Sequence, residues 1–152
     1  RTLGRAVREV LRLLSEVEGH EETSRAIESA RMLANTHPGD IGAIRALGEG
    51  WIAEEALAIG LYCAMSAGSF REGVVLAVNH SGDSDSTGSI AGQLLGAIHG
   101  DSAISAEWLN VLELAPVIEA VADDLATVGE WQLHDHPPGG EGEFYCTRYP
   151  GW

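Results

Sequence analysis

The stretch Ser86-Thr87-Gly88-Ser89-Ile90-Ala91-Gly92-Gln93-Leu94-Leu95-Gly96-Ala97-Ile98-His99 carries two periodicities at once, and both are helical. Ile90, Ala91, Leu94, Leu95 and Ile98 recur at three- and four-residue steps and form one apolar stripe, while Gly88, Gly92, Gly96 and Gly100 repeat every fourth residue on another face. Each interior glycine costs up to about 1 kcal/mol of helix stability relative to alanine, so a row of them calls for a compensating gain. Close approach of a neighbouring backbone is the gain expected. The segment is too short and too polar for the membrane form of a small-residue motif.

The same period runs outward from this helix. Trp51 to Ala67 carries Ile52, Ala56, Leu57, Ile59, Leu61, Tyr62 and Met65 with only Glu54 and Glu55 charged, and a helix apolar nearly all round belongs in the centre of a bundle. Ser69 and Glu72 have capping-box spacing, which predicts a helix over Phe70 to Val78. Upstream, Leu3, Val7, Val10, Leu11, Leu14 and Val17 describe a surface helix ending near Gly19, and Glu22 to Ala34 describes a second. Downstream, helices are expected over Ala106 to Leu114 after Ser105, and over Val117 to Val128 with Pro116 at or near its start. Leu133 to Trp152, with Pro137-Pro138-Gly139-Gly140, reads as an irregular tail. Strand alternation is nowhere sustained, so the fold class is all-α, with tightly packed central helices.

Composition removes several kinds of chemistry. The 152 residues contain no Lys, nine Arg and 23 acidic residues, for a net charge of −14. From Glu72 to Thr147 there are thirteen Asp or Glu and no Lys or Arg. Such a chain lacks the basic footprint of a nucleic-acid binder and the polybasic stretch of a membrane anchor. Without Lys there is no Walker-type phosphate lysine, no Schiff base and no lysine catalyst. Chemistry must run on carboxylates, hydroxyls, His, Arg or a metal. Cys63 lies in an apolar helical run, and Cys63 and Cys146 read as unlinked thiols of a cytoplasmic protein.

Ser81-Gly82-Asp83-Ser84-Asp85-Ser86-Thr87-Gly88 is the segment where that chemistry could sit. Asp83 and Asp85, two residues apart with hydroxyls beside them, are hard oxygen ligands of the kind Mg²⁺, Mn²⁺ or Ca²⁺ prefers. They precede a helix whose positive N-terminus repels a cation, so two carboxylates are needed against that field. Asp and Ser before a helix are equally ordinary N-caps, and both readings stand. An EF-hand fails: Asp83, Asp85, Thr87 and Gly88 match its first liganding positions, but Leu94 occupies the position that needs Glu.

The run Asn79-His80-Ser81-Gly82-Asp83-Ser84-Asp85-Ser86-Thr87-Gly88-Ser89-Ile90-Ala91-Gly92 resembles the C-terminal signature of the ADP-ribosylglycohydrolases. Leu47-Gly48-Glu49-Gly50-Trp51 and Glu54-Glu55-Ala56-Leu57 resemble that family's substrate loop and following helix, and the likeness extends from about His37 to Leu125. The resemblance implies an orthogonally packed all-α bundle, two Mg²⁺ ions with Mn²⁺ as a substitute, and hydrolysis of the N-glycosidic bond between ADP-ribose and an arginine side chain. It implies Asp83 and Asp85 as catalytic metal ligands and Ser86 as a third ligand, where many relatives have Thr. It also implies that Gly50 and Trp51 line the ADP-ribose pocket, although on residue type alone Trp51 could equally be a core anchor. The partner implied is ADP-ribosylated protein or ADP-ribose.

One departure qualifies the likeness. The family's Thr-Asp-Asp motif, which supplies further ligands, is absent, and the only adjacent Asp pair, Asp123-Asp124, lies downstream of the signature. Residues 1–152 are therefore read as the C-terminal part of a single domain, incomplete at the N-terminus and holding part of a metal site. The alternative is a noncatalytic helical relative or fragment that binds ADP-ribose or a divalent ion without turnover. His134, His136 and Cys146 form a poor imitation of a zinc site, lacking a fourth ligand at standard spacing. His80 could assist the acidic segment or cap it, His99 reads as a helix-end residue, and Glu54-Glu55 read as first-turn acids suited to the helix dipole.

Overall fold

Seven consecutive buried residues in the middle of the chain, Ala58 to Ala64, decide the packing. The computed structural model describes residues 2–130 and 147–149. Its central helix is α4 (Ala53–Ser66), in which Ala56 and every residue from Ala58 to Ala64 are buried. Burial on all sides is what the unbroken apolar run dictates. Around it lie α1 (Thr2–Leu14), α2 (Glu21–Thr36), α3 (Ile41–Leu47), α5 (Phe70–Val78) and α6 (Ser84–His99). Helix α4 packs on α2 and α6, α5 packs on both α4 and α6, and α3 lies against α4 and α2. Among the described residues there is no strand, and no helix is long and apolar enough to cross a membrane.

The core runs from Val7 to Leu95, with Ile44, Ile59, Tyr62, Thr87 and Leu95 its largest fully buried side chains. Each large apolar side chain removed from water contributes roughly 1.5–3 kcal/mol. Tyr62 also organises the polar turn above it. Its hydroxyl donates to His37 O (2.6 Å) and accepts from the Asp40 N–H (2.8 Å), and burial raises its pKa. With the turn pinned, Asp40 accepts from the Gly42 N–H at 2.7 Å and starts α3. Helix α3 delivers the chain to the Gly48–Gly50 turn. Cys63, fully buried, has its thiol pushed up to about 12 by desolvation.

The expected bounds of α5 are met, and both halves of its cap are made. Ser69 accepts from the Glu72 N–H (3.2 Å), while the Glu72 carboxylate accepts from the Gly68 N–H (3.0 Å), one residue earlier than a reciprocal box would place it. Helix α1 stops at Leu14, short of Gly19. Ser15 Oγ donates to Arg12 O (2.7 Å), and the Glu16 and Val17 amides close tighter turns onto Leu13 and Leu14. Val17, past the helix end, is exposed, and so is Val10 within α1.

The glycine row of α6 is not where backbones meet. An added Cβ on Gly92 or Gly96 finds nothing within 4 Å among the described residues. The inward stripe is instead Thr87, Ala91 and Leu95, all fully buried, with Ile98 exposed at its end. Close approach occurs from the other side: a Cβ on Gly60 of α4 would lie 2.6 Å from Ile90 Cγ2 and 3.2 Å from Ala91 N. One on Gly73 of α5 would lie 2.4 Å from Leu95 Cδ1. The tight packing is real, and the glycines that permit it are Gly60 on α4, Gly73 on α5 and, within the row itself, Gly88, whose Cβ would lie 2.6 Å from Val78 Cγ1.

The chain divides into two compact units, Arg1–Ala106 and Glu107–Trp152. The second contains most of α7 (Ala106–Leu109) and α8 (Ala115–Thr127), neither with a buried residue. Helix α7 ends well before Leu114 because the chain turns through Val111 and Leu112, and Leu114 adopts φ 59°. Pro116 lies in the first turn of α8 as expected. Asp124 accepts from the Tyr149 hydroxyl (2.5 Å) and from Arg148, and these two hold it below the usual carboxylate range. The tail residues His134, His136 and Cys146 lie outside the described residues.

Candidate active site

Two turns, 48–50 and 80–83, meet at the start of α6. The first is shaped by Glu55, in the opening turn of α4. Its Oε2 accepts from the backbone N–H of Glu49 and of Gly50, each at 3.0 Å. Glu55 thus does more than suit the helix dipole, because it satisfies two amides that the turn leaves pointing inward. Gly50 has φ +83° and is buried.

The second turn is pressed against the first. The Asp83 N–H donates to Glu49 O at 2.8 Å, and a Cβ on Gly82 would fall 1.8 Å from that same oxygen. Only glycine permits the two backbones to come this close. At Gly50, a Cβ would lie 3.5 Å from Asp83 Cβ. The residues read as substrate loop and as metal ligand are therefore neighbours in space, although 33 positions separate them in the chain.

Asp83 is the N-cap of α6, its Oδ1 accepting from the Ser86 N–H at 3.4 Å. The capping reading is therefore met here. The Asp83 carboxyl is held below the usual carboxylate range, chiefly by the neighbouring Asp85 side chain and then by the Ser86 hydroxyl. Asp83, Asp85 and Ser86 thus stand together at the opening turn of α6. Two carboxylates and a hydroxyl at one helix start form an all-oxygen donor set of the kind that suits a hard divalent ion. In kind, these residues fit Mg²⁺ or Mn²⁺. Among the described residues, no group of three or more His, Cys, Asp or Glu lies together as a metal site, so the other donors would be hydroxyl, backbone or water oxygens, or groups from elsewhere.

Asp85 and Ser86, with Ser89 and Ile90, line an open depression of about 410 Å³. On the other side of Asp83 a cleft of about 240 Å³ is lined by Ile44, Arg45, Gly48, Glu49, His80, Ser81 and Gly82. Trp51 is 67 % exposed, which excludes the core-anchor reading, and its indole N–H donates to Glu49 Oε2 at 3.2 Å. His80 does not reach outward. Its Nδ1 accepts from the Gly82 N–H (3.1 Å), and its Nε2 lies 2.9 Å from Thr87 Oγ1. His99 ends α6 as expected.

Glu55 and Thr87 are the two residues whose roles sequence reasoning missed. Thr87 was discoverable, because it shares the four-residue spacing of Ala91 and Leu95, and a hydroxyl on a buried stripe needs a partner. Glu55 carried no local signal, because its partners are amides in a turn that only the folded chain brings back to it.

An all-helical bundle with an acidic pair at a helix start, facing a glycine turn, defines a class. The chain belongs to the ADP-ribosylglycohydrolase family, whose model matches residues 1–134. Among curated proteins, the ADP-ribosylarginine hydrolase Tri1 of Pseudomonas putida (strain GB-1) is 31 % identical over 71 residues, which cover 47 % of this chain and 19 % of that protein. The chain thus spans about a fifth of the length of the curated relative it matches. No solved structure matches it.

Proposed function

We propose that this chain contributes Asp83, Asp85 and Ser86 to the divalent-metal site of a hydrolase that removes ADP-ribose from ADP-ribosylated protein, with the ADP-ribosyl-arginine bond as substrate. The observation that carries this reading is the placement of those three oxygen-bearing side chains at one helix start, with Asp83 beside Gly50. Bound Mg²⁺ or Mn²⁺ supplies positive charge that can orient ribose hydroxyls and polarise a water. Asp83 and Asp85 would hold that ion, and their negative charge favours oxocarbenium character at the anomeric carbon. Gly50 brings backbone close to the sugar, Trp51 presents an exposed ring face for adenine or ribose, and Arg45 is the one Arg lining the adjoining cleft, where a diphosphate could take it.

Release of ADP-ribose from ADP-ribosylated arginine, measured with Mg²⁺ for wild type, Asp83→Asn and Asp85→Asn, tests the assignment. Activity in the wild type and a large loss in both variants is expected. Equal release by all three would remove these residues from the site. A second reading, a noncatalytic relative that binds ADP-ribose or a divalent ion without turnover, draws on the missing third acidic or His ligand among the described residues. Metal binding without release by the wild type would favour it.

A further inference from the structure

We propose that His80 and Thr87 form a latch that positions the Gly82–Asp83 peptide, and through it the Asp83 carboxylate, for binding a cation. The proposal rests on the metal reading above. Thr87 is fully buried on α6, and its hydroxyl lies 2.8 Å from Ala77 O, near the end of α5, with Asp83 O and Ser84 O at 3.0 and 3.4 Å. A hydroxyl has one hydrogen. Given to Ala77 O, the nearest acceptor, it leaves Thr87 Oγ1 to accept from His80 Nε2 at 2.9 Å. The same imidazole must accept at Nδ1, because the group facing it is the Gly82 N–H at 3.1 Å.

One tautomer, with hydrogen on Nε2, satisfies every partner, so the hydrogen-bond pattern assigns it. The ring therefore ties the loop to two helices by a chain running from Gly82 N–H through His80 and Thr87 to Ala77 O. The next amide along, Asp83 N–H, is held by Glu49 O at 2.8 Å. Two successive amides bound to different elements leave the peptide plane ahead of Asp83 little freedom. Asp83 Cα, from which the ligand side chain projects, is fixed accordingly. His80 touches no reacting atom in this scheme and is a positioning residue.

The test uses the full chain with Mn²⁺ alone as probe, reading Mn²⁺ affinity and amide hydrogen exchange at Gly82 and Asp83 for His80→Ala, Thr87→Ser, Thr87→Val and Asp83→Asn. Outer partners of metal ligands typically change affinity roughly 10–100-fold when removed, and a loss of that size is expected for His80→Ala and Thr87→Val, with faster exchange at both amides. Thr87→Ser, which keeps the acceptor oxygen, should stay close to wild type. A lower thermal midpoint in His80→Ala with unchanged Mn²⁺ affinity would make the contact merely structural and overturn the proposal, provided Asp83→Asn has lost binding. If Asp83→Asn binds Mn²⁺ as wild type does, the metal reading itself fails, and the latch loses its purpose for that separate reason.

Discussion

The amides of Glu49 and Gly50 point at a single carboxylate oxygen of Glu55, 3.0 Å from each. Removing that acceptor leaves two donors facing a part-buried turn, and hydrogen bonds to charged groups contribute about 1.5–3 kcal/mol each at most. Glu55→Ala should therefore lower the unfolding free energy by about 1–3 kcal/mol in urea titration. A variant as stable as the wild type would contradict the clamp. Asp83 and Asp85 were legible from sequence, because two carboxylates beside hydroxyls at a helix start form a local pattern. Glu55 was not, because a first-turn glutamate looks the same whether it faces water or a turn six residues back. Trp51 stood between two readings until its exposure of 67 % removed it from the core.

At the scale of elements, the apolar periodicity that identifies a helix does not say which of its faces meets a neighbour. The small residues of α6 suggested a close contact along the row, yet of these Gly88 alone meets a neighbour, the Val78 side chain, and the other close contacts are made by Gly60 and Gly73 opposite the Thr87–Ala91–Leu95 stripe. This reassignment predicts opposite outcomes for the same substitution. Gly60→Ala inserts a methyl where Ile90 and Ala91 already stand and should cost about 1–3 kcal/mol. Gly96→Ala meets nothing within 4 Å and should gain about 0.5–1 kcal/mol from helix propensity. Chemical denaturation of the pair measures both, and equal signs would refute the reassignment. Helices α4, α5 and α8 were legible because their apolar runs, caps or proline agree with one another. Helix α3 escaped notice because seven residues carry too little periodicity, and its start depends on Asp40, whose turn is held by Tyr62 from α4. Helix α7 was overextended because Val111, Leu112 and Leu114 continue the apolar spacing past Leu109 in turns rather than in a helix.

For the whole molecule, all buried residues among those described lie between Val7 and Leu95, within the unit Arg1–Ala106. A chain ending at Ala106 should accordingly keep a cooperative thermal transition and a helical circular dichroism spectrum. A noncooperative melt would show that the core needs the rest of the chain. The charge of −14 takes on a different weight at this scale. Most of the acids are dispersed over exposed helix surfaces, and a diffuse negative field attracts any cation weakly. Among the described residues, Asp83 and Asp85 bring two carboxylates together at one helix start beside a hydroxyl and a glycine turn.

Whether that meeting point, and not the acidic surface at large, takes the cation is the central claim. Titrating substoichiometric Mn²⁺ into the isotopically labelled chain and following paramagnetic broadening of amide resonances locates the ion directly. Broadening should begin at residues 83–86 and spread to Gly50 and Trp51, while Asp123 and Asp124 keep sharp signals at the same Mn²⁺ level. Equal broadening at the two acidic pairs, or earlier broadening at Asp123 and Asp124, would contradict the account.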